Sequence, residues 1–197
     1  HRWPPRQDRA QGAVQAHQEA SLVRARPANL GDTIAAGVLV CDGLPAAPSS
    51  VYDRVDFALD EEEVGREVLV GPLSAGDLVW VLEAGDQIAG FALARHRPLQ
   101  RASHVADLTL LVHPVARGRG GGLTLLAAIE GAARTSLSIH KLVVRVASDD
   151  HALKATLHSA QSGWRRERVE VNGMRRGGTT LDTELWGLVV GAGPAPR

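Results

Sequence analysis

Cysteine, lysine, net charge and long apolar runs are all scarce in this chain, and each scarcity excludes something. The single cysteine, Cys41, rules out an internal disulfide framework and a metal site built from several thiolates. No metal is expected, and the expected compartment is the cytoplasm. Lysine is nearly absent, with Lys141 and Lys154 standing alone among many arginines. With abundant Ala and Gly, this is the composition of a GC-rich genome. Charge of one sign is missing too: 22 basic and 22 acidic side chains give a formal net charge of +0. That removes the general electrostatic case for nucleic acid or an anionic membrane as partner. No apolar run reaches the roughly 18 residues that would signal a membrane span. The chain opens at His1 without an apolar signal core, as a trimmed end would.

What is present suits one domain: 197 residues, 44% hydrophobic and 22% charged. Residues 1–20 are polar and rich in Arg, Gln and Pro, and are expected to form a flexible tail, with a short helix over 11–19 as the alternative. The domain is expected over 21–190, followed by a flexible tail over 191–197. Leu22–Arg26 reads as a first strand, ended by Pro27. Asn29 can cap a helix with Leu30, Ile34, Val38 and Leu39 inward. Residues 42–50 read as a loop. Asp60–Glu63 put negative charge at the start of a second helix, with Val64, Val68 and Leu69 buried and Gly71-Pro72 as its stop.

Two strands, Leu78–Glu83 and Ile88–His96, flank the hairpin turn Ala84–Gln87. A long apolar strand follows over His104–Val112. After a glycine-rich turn comes a helix with Leu123, Leu126, Ala127, Ile129 and Ala133 inward. Lys141–Ala147 is a buried strand. Ser148–Asp150 reads as a cap for a helix over 151–161, which carries Leu153 and Leu157 and ends at Gly163. Trp164–Val171 and Thr179–Val190 are the last strands, joined by a turn over 172–178. The order β-α-α-β-β-β-α-β-α-β-β is that of a mixed α/β fold. Trp164 reads as core, and Trp80 and Trp186 as core or dimer-face positions, which leaves a homodimer open.

The chemistry concentrates in Arg117-Gly118-Arg119-Gly120-Gly121-Gly122. A strand, a glycine turn with two arginines and a helix start together form an anion-binding device. The first helical N–H groups lack intrahelical partners, and the helix dipole adds positive charge. Three phosphate-binding patterns compete. A P-loop needs Lys and then Ser or Thr after its last Gly, but Leu123 follows Gly122. A dinucleotide fingerprint needs a third Gly where Leu123 stands. R-x-x-G-x-G is satisfied by Arg117, Gly120 and Gly122.

This turn, with Val112–Ala116 before it and Leu123–Ala133 after it, resembles the GNAT superfamily of N-acetyltransferases. A second matching piece is the strand Lys141–Ala147, the cap Ser148–Asp150 and the pair Gly163-Trp164. Ser103–Leu108 looks like a bacterial branch acting on amino acids and small amines. The resemblance implies a central twisted mixed sheet of six or seven strands, splayed between two parallel strands, with helices on both faces. It also implies acetyl-CoA as cofactor and CoA as product. Backbone groups of Arg117, Gly118, Arg119, Gly120, Gly121, Gly122 and Leu123 are then expected to hold the pyrophosphate, and those of Leu110, Leu111 and Val112 the pantetheine arm. Val112 N–H is the expected donor to the thioester carbonyl.

Acetyl transfer to a primary amine of a small molecule or amino acid follows, with a peptide N-terminus or a non-catalytic acyl-CoA-binding module as alternatives. Asp107 and His104 are the candidate bases, with His113 a third. Where many members carry a tyrosine acid, four residues before the Gly of the Gly-aromatic pair, this chain has Ser159. Its only tyrosine is Tyr52. Ser159 and His158 are the candidate acids. Gly121, often apolar in the family, implies a looser turn.

Overall fold

A computed structural model describes residues 23–43 and 60–191. The tail over 1–20, its alternative helix, residues 44–50 of the loop expected over 42–50 and residues 192–197 lie outside the described residues; Asp42 and Gly43 of that loop are helical. Seven strands form one sheet in the order β1-β2-β3-β4-β5-β7-β6. They are β1 (Val23–Pro27), β2 (Leu78–Ala84), β3 (Gln87–His96), β4 (Val105–Val112), β5 (Lys141–Ala147), β6 (Arg165–Arg176) and β7 (Thr179–Val189). Only β4 and β5 run parallel; every other neighbouring pair is antiparallel. The mixed α/β class, the element order and the central parallel pair are those expected from the sequence.

Helices cover both faces. α1 (Thr33–Gly43) packs on one face with α2 (Glu61–Gly65), a π turn (Arg66–Val70) and α3 (Gly71–Ser74). Their core joins Val40, Val64, Val68 and Leu69 to Phe91, Leu93 and Leu111 of the sheet. On the other face lie α4 (Gly121–Thr135) and α5 (His151–Ser159), over Leu108, Leu142, Val144, Val146 and Trp186. Glu130 of α4 is buried and accepts hydrogen bonds from Trp164 Nε1 (2.7 Å) and Ser162 Oγ (2.9 Å), which fixes the turn after α5 onto α4.

Helix phase departs from the sequence expectation in two places. In α1 the buried positions are Ala36, Gly37, Leu39, Val40 and Gly43, whereas Leu30 and Ile34 are exposed. Gly37 sits against the backbone of α2, where an added Cβ would lie 1.7 Å from the Glu61 carbonyl oxygen. That contact sets the rotation of the helix. In α4 the row Gly121, Leu125, Ile129 and Ala133, spaced four apart, faces the sheet. Leu123 and Ala127 therefore turn outward.

Boundaries shift too. The second helical stretch passes Gly71-Pro72 and runs on to Ser74, because the π turn before it re-spaces the hydrogen bonds at Pro72. Gln161, at φ 51°, makes the left-handed turn after α5, ahead of Gly163. The turn expected over 172–178 is mostly strand. β6 continues to Arg176 through a bulge at Asn172 (φ 54°), and a two-residue turn at Gly177-Gly178 (φ 53° and 83°) joins it to β7.

At the 3-10 turn Leu30–Asp32 that leads into α1, Asn29 and Asp32 form a capping box. Arg26 donates to both Asp32 oxygens, at 2.8 and 2.7 Å. The guanidinium holds the Asp32 carboxyl below the ordinary aspartate range, helped by Asn29 N–H and opposed by burial. A depressed folded-state value gives stabilisation that is complete above the unfolded value of about 4 and is lost as the pH falls through the folded one. Asp32→Asn is expected to lower stability at pH 7 by about 1–2 kcal/mol. The stability gap between the two proteins should narrow as the pH falls below about 4; a gap that stays constant through the acid range would contradict the pairing.

Candidate functional site

Hydrogen bonds along β4 settle which way its backbone points. Arg97 N–H bonds the Val105 carbonyl (3.1 Å) and His113 N–H bonds the Ala89 carbonyl (2.8 Å), so odd-numbered residues turn their polar groups toward β3. His140 N–H bonds the His104 carbonyl (2.8 Å), so even-numbered residues turn theirs toward β5. β5, however, pairs with β4 only from Val105↔Lys141 to Leu108↔Val144. Past that point the N–H and C=O of Leu110 and Val112 face a gap in the sheet. Arg117 Nε donates to the Val112 carbonyl at 2.8 Å, which ties the glycine turn back to the strand and leaves the Val112 N–H facing the gap.

The gap opens onto a cleft of about 440 Å³. One wall is Leu110–Val112, Arg117, Gly118 and Gly120–Leu123; the other is Asp150, Ala152, Leu153, Ala155, Thr156 and Ser159. The two helix starts at this cleft differ. Asp150 caps α5 by accepting from Leu153 N–H at 2.9 Å. Gly120 caps α4 with φ 80° and no side-chain hydrogen bond. The first helical bond there is Thr124 N–H to the Gly120 carbonyl (2.9 Å), so the earlier N–H groups of α4 keep no intrahelical acceptor. Those donors, with the exposed Arg117, make the α4 end of the cleft the place for an anion.

The three central glycines have different reasons. Gly120 needs its positive φ and has open space beyond Cα. Gly122 faces α5, where a Cβ would rest 3.6 Å from Thr156. At Gly121 a Cβ would come within 2.8 Å of Leu82 Cδ2 and 3.2 Å of the Ala116 carbonyl oxygen. Gly121 is therefore a close-packing position that seats α4 on β2, where the sequence implied slack.

The structure gathers most of the sequence-derived cofactor positions into one wall; Arg119 lies outside the cleft lining. Leu111 is also among the lining residues, although its side chain packs into the α1 core and its N–H and C=O turn toward β3. Ser159 lines the cleft. His158 lies beyond its lining, edge-on to Trp186 with ring centroids 4.9 Å apart, and its Nδ1 is 2.8 Å from the Lys154 carbonyl. Asp107 is exposed and held by Arg97, whose Nε and Nη2 reach its oxygens at 3.0 and 2.7 Å. His104 is exposed beside His140, with ring centroids 6.4 Å apart. His113 lines a different cavity, beside α1 and the β2–β3 turn. Apart from the candidate acid Ser159 and the cap residue Asp150, the α5 wall was not singled out in the sequence. Its signal was present: Ala152, Ala155, Thr156 and Ser159 put small side chains on one helical face.

Residues 48–158 match the model of the acetyltransferase (GNAT) family. The chain belongs to that family. GNAT members are acetyltransferases, which makes this chain an acyltransferase by class. No curated protein sequence matches it. Among solved structures it is similar to yncA from Salmonella typhimurium with its cofactor acetyl-CoA (TM-score 0.77, 20% identity, covering 89% of this chain and 98% of that one). It is also similar to a GNAT phosphinothricin acetyltransferase from Sinorhizobium meliloti in complex with acetyl-CoA (0.74, 20%, 89% and 92%). It is similar too to a ribosomal-protein-alanine N-acetyltransferase from Brucella melitensis (0.73, 25%, 84% and 98%). The GNAT fold, splayed at its parallel pair, is thus the frame in which the cleft sits.

Proposed function

We propose that this GNAT chain transfers an acetyl group from acetyl-CoA directly to the primary amine of a small molecule or amino acid. One observation carries the reading: β4 loses β5 as partner at Leu110 and Val112, where the gap meets an uncapped helix start. Acetyl-CoA fits this arrangement, because its pyrophosphate matches free N–H groups next to left-handed glycines and its arm matches an unpaired strand edge. Bound there, it supplies an activated acetyl thioester.

Arg117 to Leu123 hold the pyrophosphate in this reading, with N–H groups as ligands. The Arg117 side chain braces the turn through the Val112 carbonyl. Leu110 offers its backbone N–H and C=O to the arm, and Val112 N–H is the donor placed for the acyl carbonyl. Cys41 packs against the α1-face core, so direct transfer without a covalent enzyme intermediate is the economical route. The acceptor amine must shed a proton. Asp107 and His104 remain the candidate groups, Asp107 acting from within its Arg97 fork.

Ser159 occupies the position of the family's tyrosine acid and lines the cleft. An ordinary thiol, with a pKa near 8.5, leaves without a strong acid. Ser159→Ala is therefore expected to lower kcat by less than about tenfold. A loss beyond about 100-fold, with the acetyl-CoA Kd unchanged, assigns the hydroxyl the acid's role.

The test of the function is free-thiol release from acetyl-CoA across a panel of amines and amino acids. Acceptor-dependent release is the expected result. Acetyl-CoA binding without release for any acceptor overturns the enzyme reading in favour of an acyl-CoA-binding module.

A further inference from the structure

The sheet face opposite α4 and α5 carries charged side chains whose arrangement has a direction. Val143 and Leu185 are buried on this face together with Val105. Arg145 is the first β5 residue after the last β4 pair, Leu108↔Val144, so its backbone stands where the gap begins, while its side chain reaches across β7 to Glu170 of β6. Strand alternation places it on the face of Val143, opposite Leu185 of β7. Its side chain is 43% exposed.

The carboxylates described on this face are already engaged. Asp107 is held by Arg97, and Glu167 by Lys141. Glu170 accepts from Arg145 Nε at 3.1 Å and from Arg168 Nη2 at 2.6 Å, with Thr183 Oγ1 at 3.3 Å. Two guanidinium groups therefore share one carboxylate. The Arg145 contact uses only Nε, so both of its Nη groups are unspent among the described hydrogen bonds. An arginine pinned through Nε with its Nη edge open is oriented to take a second carboxylate by paired N–H···O bonds.

We propose that Arg145, positioned by Glu170, binds a carboxylate of the acceptor, so that the substrates are amines that also carry a carboxylate, as free amino acids do. This rests on the acetyl-transfer reading and narrows its substrate class. The Val143–Leu185 floor beside Arg145 suits the apolar part of such an acceptor. A peptide N-terminus, whose α-carboxyl is tied up in an amide, gains nothing from Arg145.

The test uses matched acceptors: an amino acid, its amide and its decarboxylated amine. Each is assayed by thiol release with the wild type, Arg145→Ala and Arg145→Lys. Wild-type kcat/KM should favour the amino acid over its amine by about 10–100-fold, the range of a charge-assisted hydrogen bond. Arg145→Ala should abolish that preference, mainly through KM, while turnover of the amine stays within about threefold. Arg145→Lys should restore part of it. Calorimetric binding of the same acceptors to the CoA-loaded protein reads the same preference without turnover. A wild type indifferent to the carboxylate, or a preference that survives Arg145→Ala, overturns this inference and leaves acetyl transfer standing. Absence of both turnover and binding for every acceptor overturns the proposed function and this inference together.

Discussion

Replacing Gly120 by aspartate is expected to weaken acetyl-CoA binding by about 100-fold or more while the protein stays folded. The position separates binding from stability. Open space surrounds its Cα, so a side chain meets no neighbour. Its φ of 80° is left-handed, which aspartate tolerates better than most residues, at a cost of about 1 kcal/mol. For a chain of this size that corresponds to a fall in Tm of about 2–4 °C. The new carboxylate, however, stands at the N-cap of α4. It can accept the N–H groups proposed for the pyrophosphate, and it places like charge beside it. Losing two or three charge-assisted hydrogen bonds accounts for the affinity change. Calorimetric titration with acetyl-CoA beside a thermal melt gives both numbers. An unchanged Kd would remove the glycine turn from the binding site; a collapsed Tm would show that Gly120 acts in folding.

Gly37→Ala should produce the largest loss of stability from any single methyl group. α1 and α2 meet backbone to backbone. A Cβ at Gly37 would sit 1.7 Å from the Glu61 carbonyl oxygen, and one at Gly65 would sit 2.0 Å from the Thr33 carbonyl oxygen. Neither obstacle is a side chain that can rotate away, so the helices must separate and open the Val40–Val64–Leu69 core between them. The expected cost exceeds about 3 kcal/mol, a fall in Tm of at least roughly 6–12 °C. Gly131→Ala is the control with opposite sign. It lies in α4 with nothing within 4 Å of an added Cβ. There alanine should stabilise by about 0.5–1 kcal/mol through helix propensity and a less flexible unfolded chain. Equal melting curves for the two variants would mean that α1 and α2 do not touch through Gly37.

These two glycines also mark the line between what was legible and what was not. The glycine turn, the element order and the buried β4–β5 pair rest on local signals: apolar runs, turn residues and caps within a few positions of each other. The rotation of α1 and α4 does not. It is set by Gly37 against Glu61 and by Gly121 against Leu82, contacts between residues far apart in sequence. Periodicity alone put Leu30, Ile34 and Leu123 on the wrong side, since each fits an apolar stripe equally well. The same distance problem hid the acceptor face. That Arg97 closes on Asp107, and that Arg145 and Arg168 converge on Glu170, follows from strand register, which no short motif records.

One consequence of the gap in the sheet concerns how the molecule comes apart. β3 and β4 are joined by seven residue pairs, and β5 and β7 by seven, but β4 and β5 by only four. The domain is thus two half-sheets sewn along a short seam. Its outer margins are guarded, with β1 only five residues long and β6 studded with exposed arginines. The seam has no such guard beyond Leu108. Fluctuations that open the protein should start there, so amide exchange at Leu110 and Val112 should run ahead of the rest of β4. A ligand lying in the gap adds stitches across both halves and raises the cost of parting them.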